Sequence, residues 1–332
     1  MPRLHNDLAT DARPAEPGGV APPLVVLMNA RSGAQQADTT YRTIEARLHG
    51  AQRRFRIVEV ERAQELPARA RSEAQAARAS GAVLVACGGD GTLNTVARAT
   101  LAADAPLGAL PHGTFNYFAR CHGIALELDD ALTQLLAGRI TPVQVGRVSN
   151  RRESHPFLVN ASVGLYPRLL EDREAVKARL GRTRFIALLA GLRTLLRGTP
   201  RWRLVLQADG APPRALRLTT LFISNNRMQL EKLGVPMAGV VDQGGLAAVL
   251  VRAPNRRAML AAAVRGAAGH VTTAQAVDSL TFDRMQVHPQ DPAVLWLKVA
   301  VDGEVLQLQP PLVFDTMPRA LRLMAPPPDA TA

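Results

Sequence analysis

The feature that most constrains this chain is a junction. The apolar hexamer Ala82–Cys87 (AVLVAC) runs straight into Gly88, Gly89, Asp90, Gly91, Thr92, Leu93 and Asn94. A short, uninterrupted apolar run bounded by glycine reads as a strand buried on both faces, as in a parallel sheet. Glycine then lets the backbone turn tightly and approach a ligand. A helix is predicted over Leu93–Ala103. Its first N–H groups have no acceptor within the helix, and its dipole favours an anion there. A nucleotide phosphate suits that position. Asp90 would repel a bare phosphate, which points to Mg²⁺ lying between them. Thr92 and Asn94 can add hydrogen bonds. The bland alternative is a plain tight turn with Thr92 as helix cap.

The same strand–loop–helix unit recurs. Leu24–Met28 is an apolar strand, Asn29-Ala30-Arg31-Ser32-Gly33 breaks it, and a helix is expected over Thr39–Leu48. Phe55–Val60 is a second strand, and Gln64–Ser80 a helix closed by Gly81. Leu107–Leu110 is a fourth strand, followed by the loop Pro111-His112-Gly113-Thr114. Repetition of this kind predicts a parallel α/β sheet. Three small, polar, glycine-containing loops then fall at the C-terminal ends of neighbouring strands, the edge where open parallel sheets bind ligands.

Near residue 142 the pattern changes. Val143–Val148, Phe157–Val163, Arg203–Ala208, Ala215–Ser224, Leu246–Val251, Ser279–Val287, Trp296–Val301 and Val305–Leu308 read as strands without intervening helices. Turn signals such as Ala208-Asp209-Gly210 and Val301-Asp302-Gly303 separate several of them. This half is predicted to be an antiparallel β-sandwich. Helical insertions interrupt it at Arg168–Leu196 and Arg256–Ala268. The expected division is a tail over 1–22, an α/β domain over 23–141, a β-sandwich over 142–325 and a tail over 326–332.

Composition narrows the classes. The chain has 332 residues, net charge +12, 47% hydrophobic and 20% charged residues, which excludes wholesale disorder. No apolar run approaches the roughly 18 residues of a membrane span. The N-terminal segment lacks the apolar core of a secretory signal. Two cysteines, Cys87 and Cys121, exclude a four-cysteine zinc site and argue against a disulfide framework. A reducing, cytoplasmic setting is the simplest reading. Of 40 basic residues only Lys177, Lys232 and Lys298 are lysine. Such a surface can serve phosphates or anionic lipid. Aromatics make up 4% of the chain and no nucleic-acid-binding motif occurs, so no nucleic-acid partner is expected.

The sequence contains neither G-x-x-x-x-G-K-[ST] nor G-x-G-x-x-G, so a P-loop NTPase and a standard dinucleotide domain are unsupported. The seven histidines show no metal-ligand spacing. Asp302-Gly303-Glu304 sits between two apolar runs. It reads as a hairpin turn, and equally as a rigid mount for a carboxylate that accepts a proton.

With these loops in hand, the chain resembles the diacylglycerol kinase catalytic-domain family, in particular its bacterial lipid kinases, which are related to sphingosine kinases. The family's GGDGTxNE is GGDGTLNT here, with Thr95 in place of Glu. NPxSG is NARSG, with Ala30 in place of Pro. PxGTxNDFAR is PHGTFNYFAR over Pro111–Arg120, with Tyr117 in place of Asp. The resemblance continues through Asn160–Gly164 and Ser224-Asn225-Asn226 to Val301–Glu304.

The resemblance implies that the first domain binds ATP and the second the lipid, and that the chain end packs back on the first. It implies that the phosphates meet Gly88, Gly89, Asp90, Gly91, Thr92, Leu93 and Asn94, with Asn29, Ser32, Gly33, Gly113, Thr114 and Asn116. Asp90 is the contact to Mg-ATP that it leads one to expect. Glu61 stands where members use a nucleotide-binding Thr. Glu304 takes the place of the family's proton acceptor, with Asp302 its close companion. The family's structural Mg²⁺ aligns with Val240, Gln243 and Gly245, Gln243 standing where Asp is usual. The reaction implied is transfer of the γ-phosphate to the hydroxyl of a diacylglycerol-like or sphingoid lipid, in phospholipid metabolism. Rival readings are an NAD kinase-like enzyme and an inactive lipid- or nucleotide-binding homologue. The basic stretch 168–203 reads either as a peripheral contact with the anionic inner membrane or as a helix packing on the β-domain. A homodimer stays open.

Overall fold

The computed structural model describes residues 21–29, 34–164, 202–235, 238–252 and 277–327. They divide into two compact units, residues 1–144 with 319–332, and residues 145–318. The insertions expected at Arg168–Leu196 and Arg256–Ala268 lie outside the described residues, as do Ala30–Gly33.

The first unit alternates strand and helix. In chain order it holds β1 (Leu24–Asn29), α1 (Ala34–Gly50), β2 (Phe55–Val60), α2 (Leu66–Ser80), β3 (Val83–Gly88), α3 (Asp90–Ala103), β4 (Leu107–Pro111), α4 (Tyr117–Cys121) and α5 (Leu128–Ala137). The strands lie in the order β2-β1-β3-β4, all parallel, and Leu323 of the last strand pairs in parallel with Leu107. Parallel strands buried on both faces need continuous apolar runs, and β1 and β3 supply them: Leu24, Val26, Leu27, Val83, Leu84 and Val85 are fully buried. Each such side chain contributes about 1.5–3 kcal/mol by leaving water. Ile44 and Leu48 of α1 and Leu132 and Leu135 of α5 close one layer of this core. Gly81 ends α2 in the left-handed region, at φ 68°, and its N–H returns to the Ala77 carbonyl.

The second unit is a sandwich. The remaining strands are β5 (Arg139–Ser149), β6 (Ser154–Phe157), β7 (Asn160–Gly164), β8 (Trp202–Ala208), β9 (Arg214–Leu218), β10 (Thr220–Ser224), β11 (Leu246–Val251), β12 (Val277–Phe282), β13 (Arg284–Pro289), β14 (Leu297–Val301), β15 (Glu304–Leu308) and β16 (Leu312–Ala325), with helix α6 (Arg227–Lys232) after β10. One sheet of this unit runs β9-β8-β13-β16, with β5 and β6 joined through β16. The other runs β12-β11-β10-β7-β14-β15 and is antiparallel throughout. Leu204, Leu206, Met285, Val287 and Phe314 of the first meet Val163, Leu221, Ile223, Ala248 and Val299 of the second in one apolar core. The architecture is therefore the expected one: a parallel α/β unit followed by an antiparallel sandwich.

Several predicted strands turn out to be two. Ala215–Ser224 breaks at Thr219, whose N–H and hydroxyl both bond the Val251 carbonyl at 2.9 Å. β9 stays in one sheet and β10 enters the other. Ser279–Val287 breaks likewise at Asp283. The backbone N–H groups of Asp283 and Arg284 are gathered by the Asp209 carboxylate at 3.0 and 2.8 Å. At each change of sheet the core-facing positions shift by one residue, from Leu216 and Leu218 to Leu221 and Ile223, and from Leu280 and Phe282 to Met285 and Val287, so the strand that leaves one sheet still points its apolar side chains into the shared core. Among the described residues no helix is long and apolar enough to cross a membrane.

Candidate active site

The glycine segment is a helix start rather than a loop. α3 begins at Asp90, three residues earlier than expected, with Gly89 as an extended cap at φ −80° and ψ −177°. The first intrahelical bond runs from the Leu93 N–H to the Gly89 carbonyl at 3.0 Å. The N–H groups of Asp90, Gly91 and Thr92 thus have no acceptor within the helix. Leu93, Thr92 and Asn94 are buried. Gly91 is exposed, and a Cβ added there would meet nothing within 4 Å. Gly88 is the opposite case, because a Cβ would sit 2.7 Å from the Thr92 hydroxyl oxygen. That hydroxyl also accepts from the Asn29 amide at 3.3 Å, which ties the end of β1 to the first turn of α3. Thr95, standing where the family has Glu, turns its hydroxyl back to the Gly91 carbonyl at 2.9 Å.

The loop after β4 is locked onto this helix start by Asp90. One carboxylate oxygen accepts the Asn116 N–H at 3.0 Å and the other the Tyr117 N–H at 3.1 Å. Asp90 therefore caps α4, whose flanking Asn116 is left-handed at φ 49° and bonds the Gly113 carbonyl through its side chain. Gly113 packs against Gly89 so closely that a Cβ would lie 2.8 Å from the Gly89 Cα. Only glycine fits there. Thr114 and Phe115 project outward, and the Phe115 ring stacks on Tyr117 with centroids 5.7 Å apart. At the far end of α4 the His122 ring rests on Phe118, 4.4 Å between centroids, and burial lowers its pKa from 6.5 to about 4. Burial pushes the Cys87 thiol up to about 12, so it stays protonated and inert.

Asn29, Gly88–Asn94, Gly113, Thr114 and Asn116 thus form one cluster within the first unit. Ser32 and Gly33 lie outside the described residues. Glu61 is exposed in the bend after β2. The cluster fits a polyphosphate: helix-start N–H groups with no acceptor within the helix, open space above the exposed Gly91, and a flanking loop of small residues. Asp90 has both oxygens engaged, so the role visible in its contacts is that of a clamp.

In the second unit, Asp302 and Gly303 form the two-residue turn joining β14 and β15. Their φ values are 48° and 91°, and Val301 pairs with Glu304. Both positive φ values define a type I′ hairpin. The Asp302 side chain accepts three backbone N–H groups, from Leu158 at 2.7 Å, Val159 at 2.9 Å and Asn160 at 3.0 Å. Leu158 and Val159 are the break between β6 and β7, and this acceptor holds it. Glu304, two residues on, is exposed. The turn abuts a buried polar network. Gln229 accepts from Asn160 and Ser224 at 3.3 and 3.1 Å, and Asn226 caps α6 through the Gln229 N–H at 2.9 Å. Sequence reasoning singled out Asn160, Ser224 and Asn226 as motif positions and missed Gln229, which no motif marks.

The segment aligned with a structural cation is the short helical turn Ala238–Gln243 and the two glycines before β11. The Val240 carbonyl accepts the Gly245 N–H at 3.1 Å, and Asp242 pairs with Arg227 at 2.7 Å. Among the described residues no three His, Cys, Asp or Glu side chains gather to hold a metal ion.

Residues 23–148 match the family model of the diacylglycerol kinase catalytic domain. A Serratia proteamaculans protein named "Probable lipid kinase YegS-like" is 38% identical over 106 residues, covering 30% of this chain and 33% of that protein. One of the same name from Pectobacterium atrosepticum is 35% identical over 108 residues, covering 31% and 35%. The matched stretch is about a third of the length of these relatives. The crystal structure of a diacylglycerol kinase from Bacillus anthracis str. Sterne superposes with a TM-score of 0.64 at 14% identity, covering 92% of this chain and 97% of that one. That likeness is one of fold.

Proposed function

Residues 23–148 belong to the diacylglycerol kinase catalytic-domain family, and from that premise we propose that the protein is an ATP-dependent lipid kinase. The observation that carries the reading is the clamp of Asp90 on the Asn116 and Tyr117 N–H groups. It builds an exposed, glycine-lined helix start flanked by a second small-residue loop. Polyphosphate is the ligand such a place suits.

In this reading the acceptor is a lipid hydroxyl. Glu304 takes its proton as the oxygen bonds the γ-phosphorus, and the bond from that phosphorus to the β,γ-bridging oxygen breaks to release ADP. Glu304 suits this role because it is exposed on a rigid hairpin, whereas Asp302 is committed to three backbone N–H groups. Asp302 is then a positioning residue. The N–H groups of Gly91 and Thr92 orient the phosphates and offset their charge, so the chain acts by positioning and electrostatics. Mg²⁺ accompanying the nucleotide supplies further charge neutralisation. The acceptor class is a diacylglycerol-like or sphingoid alcohol. The stretch 168–203, read from the sequence either as a membrane contact or as a helix packing on the β-domain, lies mostly outside the described residues.

The test is incubation of the purified chain with labelled ATP, Mg²⁺ and a total lipid extract, beside NAD as the competing acceptor. Label in a lipid product supports the reading. Label in NAD, or ATP binding without transfer to any lipid, defeats it.

A further inference from the structure

We infer that the loop between β13 and β14, together with Arg203 and Arg217, is a surface that docks on an anionic lipid bilayer. Single exposed apolar residues are ordinary, but an adjacent pair on a loop is not. Leu295 is 66% exposed and Trp296 49%. The loop that carries them is anchored rather than loose. Its first N–H, from Gln290, donates to the Arg203 carbonyl at 2.8 Å, the Val294 N–H returns to the Asp291 carbonyl at 3.2 Å, and Val294 packs on the sandwich core. Leu295 and Trp296 leave this anchor for solvent just before β14 enters the core at Leu297.

The anchoring point is also where two cations face each other. Arg203 of β8 and Arg217 of β9 are directly opposite in the antiparallel register. Their neighbours Leu204 and Leu218 point into the core, so both arginines stand on the outer face of the sheet, and both are exposed. Like charges directly opposite destabilise a strand pair. Charge on an edge strand guards against wrong pairing, but that needs one cation, not two in register. Among the described residues neither arginine has an ion pair. The next row of this face is Ala215, Val205 and His288. Further along the sheet, the Asp209 carboxylate accepts the Asp283 and Arg284 N–H groups, and Asp315 is held by Arg147 and Arg284. In the loop itself the one acidic side chain, Asp291, accepts the Ala293 N–H at 2.9 Å. An anionic membrane supplies what this surface lacks: phosphate charge for the two guanidinium groups and an interface in which Trp is at home.

The chain has two tryptophans, Trp202 and Trp296. In the full chain carrying Trp202→Phe, emission therefore reports Trp296 alone. Equimolar phosphatidylcholine–phosphatidylglycerol vesicles are expected to shift that emission to the blue in the absence of ATP, and pure phosphatidylcholine vesicles are not. Removing both cations with Arg203→Gln and Arg217→Gln is expected to weaken association about 30-fold, which is about 1 kcal/mol per cation. Should Trp202→Phe not fold, vesicle sedimentation of the Leu295→Ala/Trp296→Ala chain replaces it, with loss of pelleting expected. Unshifted Trp296 emission while the chain pellets, pelleting that survives Leu295→Ala/Trp296→Ala, or no pelleting at all overturns the proposal. Because no ATP is present, a chain that turns over no lipid can still dock, and the two readings fail separately.

Discussion

Asp302 and Asn160 are bonded to each other twice. The Asn160 N–H donates to the Asp302 carboxylate at 3.0 Å, and the Asp302 N–H donates to the Asn160 carbonyl at 2.9 Å. Two more N–H groups, from Leu158 and Val159, complete the set around that carboxylate. An aspartate so occupied is a structural joint between the β14–β15 turn and the start of β7. This separates two carboxylates that the sequence places side by side.

Asp302→Ala is expected to destabilise the chain by about 2–4 kcal/mol, because it orphans three N–H groups bonded to a charged acceptor. Asp302→Asn keeps one acceptor oxygen and should cost less. Glu304→Gln should leave stability unchanged and lower phosphotransfer at least about 100-fold. Urea unfolding and a lipid phosphorylation assay on the same three variants check this. Wild-type turnover in Glu304→Gln would remove the base.

Asp90 makes the parallel case in the first unit. Asp90→Ala loses the cap of α4 and the tie between two loops, so both stability and nucleotide binding should fall, stability by about 1–2 kcal/mol. Asp90→Asn retains one oxygen acceptor and should recover part of the stability. If it recovers binding as well, positioning and not charge is what Asp90 contributes. Thermal unfolding with and without Mg-ATP separates the two effects.

Much of the fold was legible in the sequence. β2 and β11 fall on their predicted residues, Phe55–Val60 and Leu246–Val251, because β2 is a β-branched and aromatic stretch set between Arg54 and Glu61, and β11 is a short apolar run set between Gly245 and Arg252. The loop after β4 is where strand–loop–helix repetition puts it. The helix start at Asp90 was not, because glycine reads as loop even when an extended Gly89 caps a helix beginning one residue later. α4 is five residues long and too short to show a period. β16 carries Pro318 and a left-handed Arg319 at φ 55°, which mask a strand of 14 residues. The clamps of Asp90 and Asp302 were invisible, since both bond backbone N–H groups brought to them only by the fold.

Glycines of the phosphate cluster should part company on substitution. Gly113→Ala forces a Cβ within 2.8 Å of the Gly89 backbone and of the Asn116 side chain, and Gly88→Ala forces one within 2.7 Å of Thr92. Both should be destabilised, by about 1–3 kcal/mol as for other overpacking. Gly91→Ala meets nothing within 4 Å and lies in a helix, so it should gain about 0.5–1 kcal/mol. If phosphates occupy the space above it, the same substitution must weaken ATP binding. A variant that melts higher and binds ATP less is the expected result from calorimetry, and undiminished ATP binding would move the phosphates elsewhere.

His122 makes stability depend on pH with a definite sign. Its pKa falls from 6.5 to about 4 on folding, through burial, so between those values the unfolded chain binds the proton and the folded chain does not. Stability therefore rises with pH across this window, and a penalty accumulates as pH falls from 6.5 to about 4, levelling off below. The full shift corresponds to about 3 kcal/mol, and partial exposure of the residue reduces this to about 2 kcal/mol. The penalty lands on α4, since the ring sits on Phe118 and the His122 N–H closes that helix. His122→Phe keeps the ring contact and removes the proton. Its unfolding free energy should be flatter than wild type between pH 6.5 and 4 and no different above 7. If the two curves stay parallel, His122 is not the group that titrates.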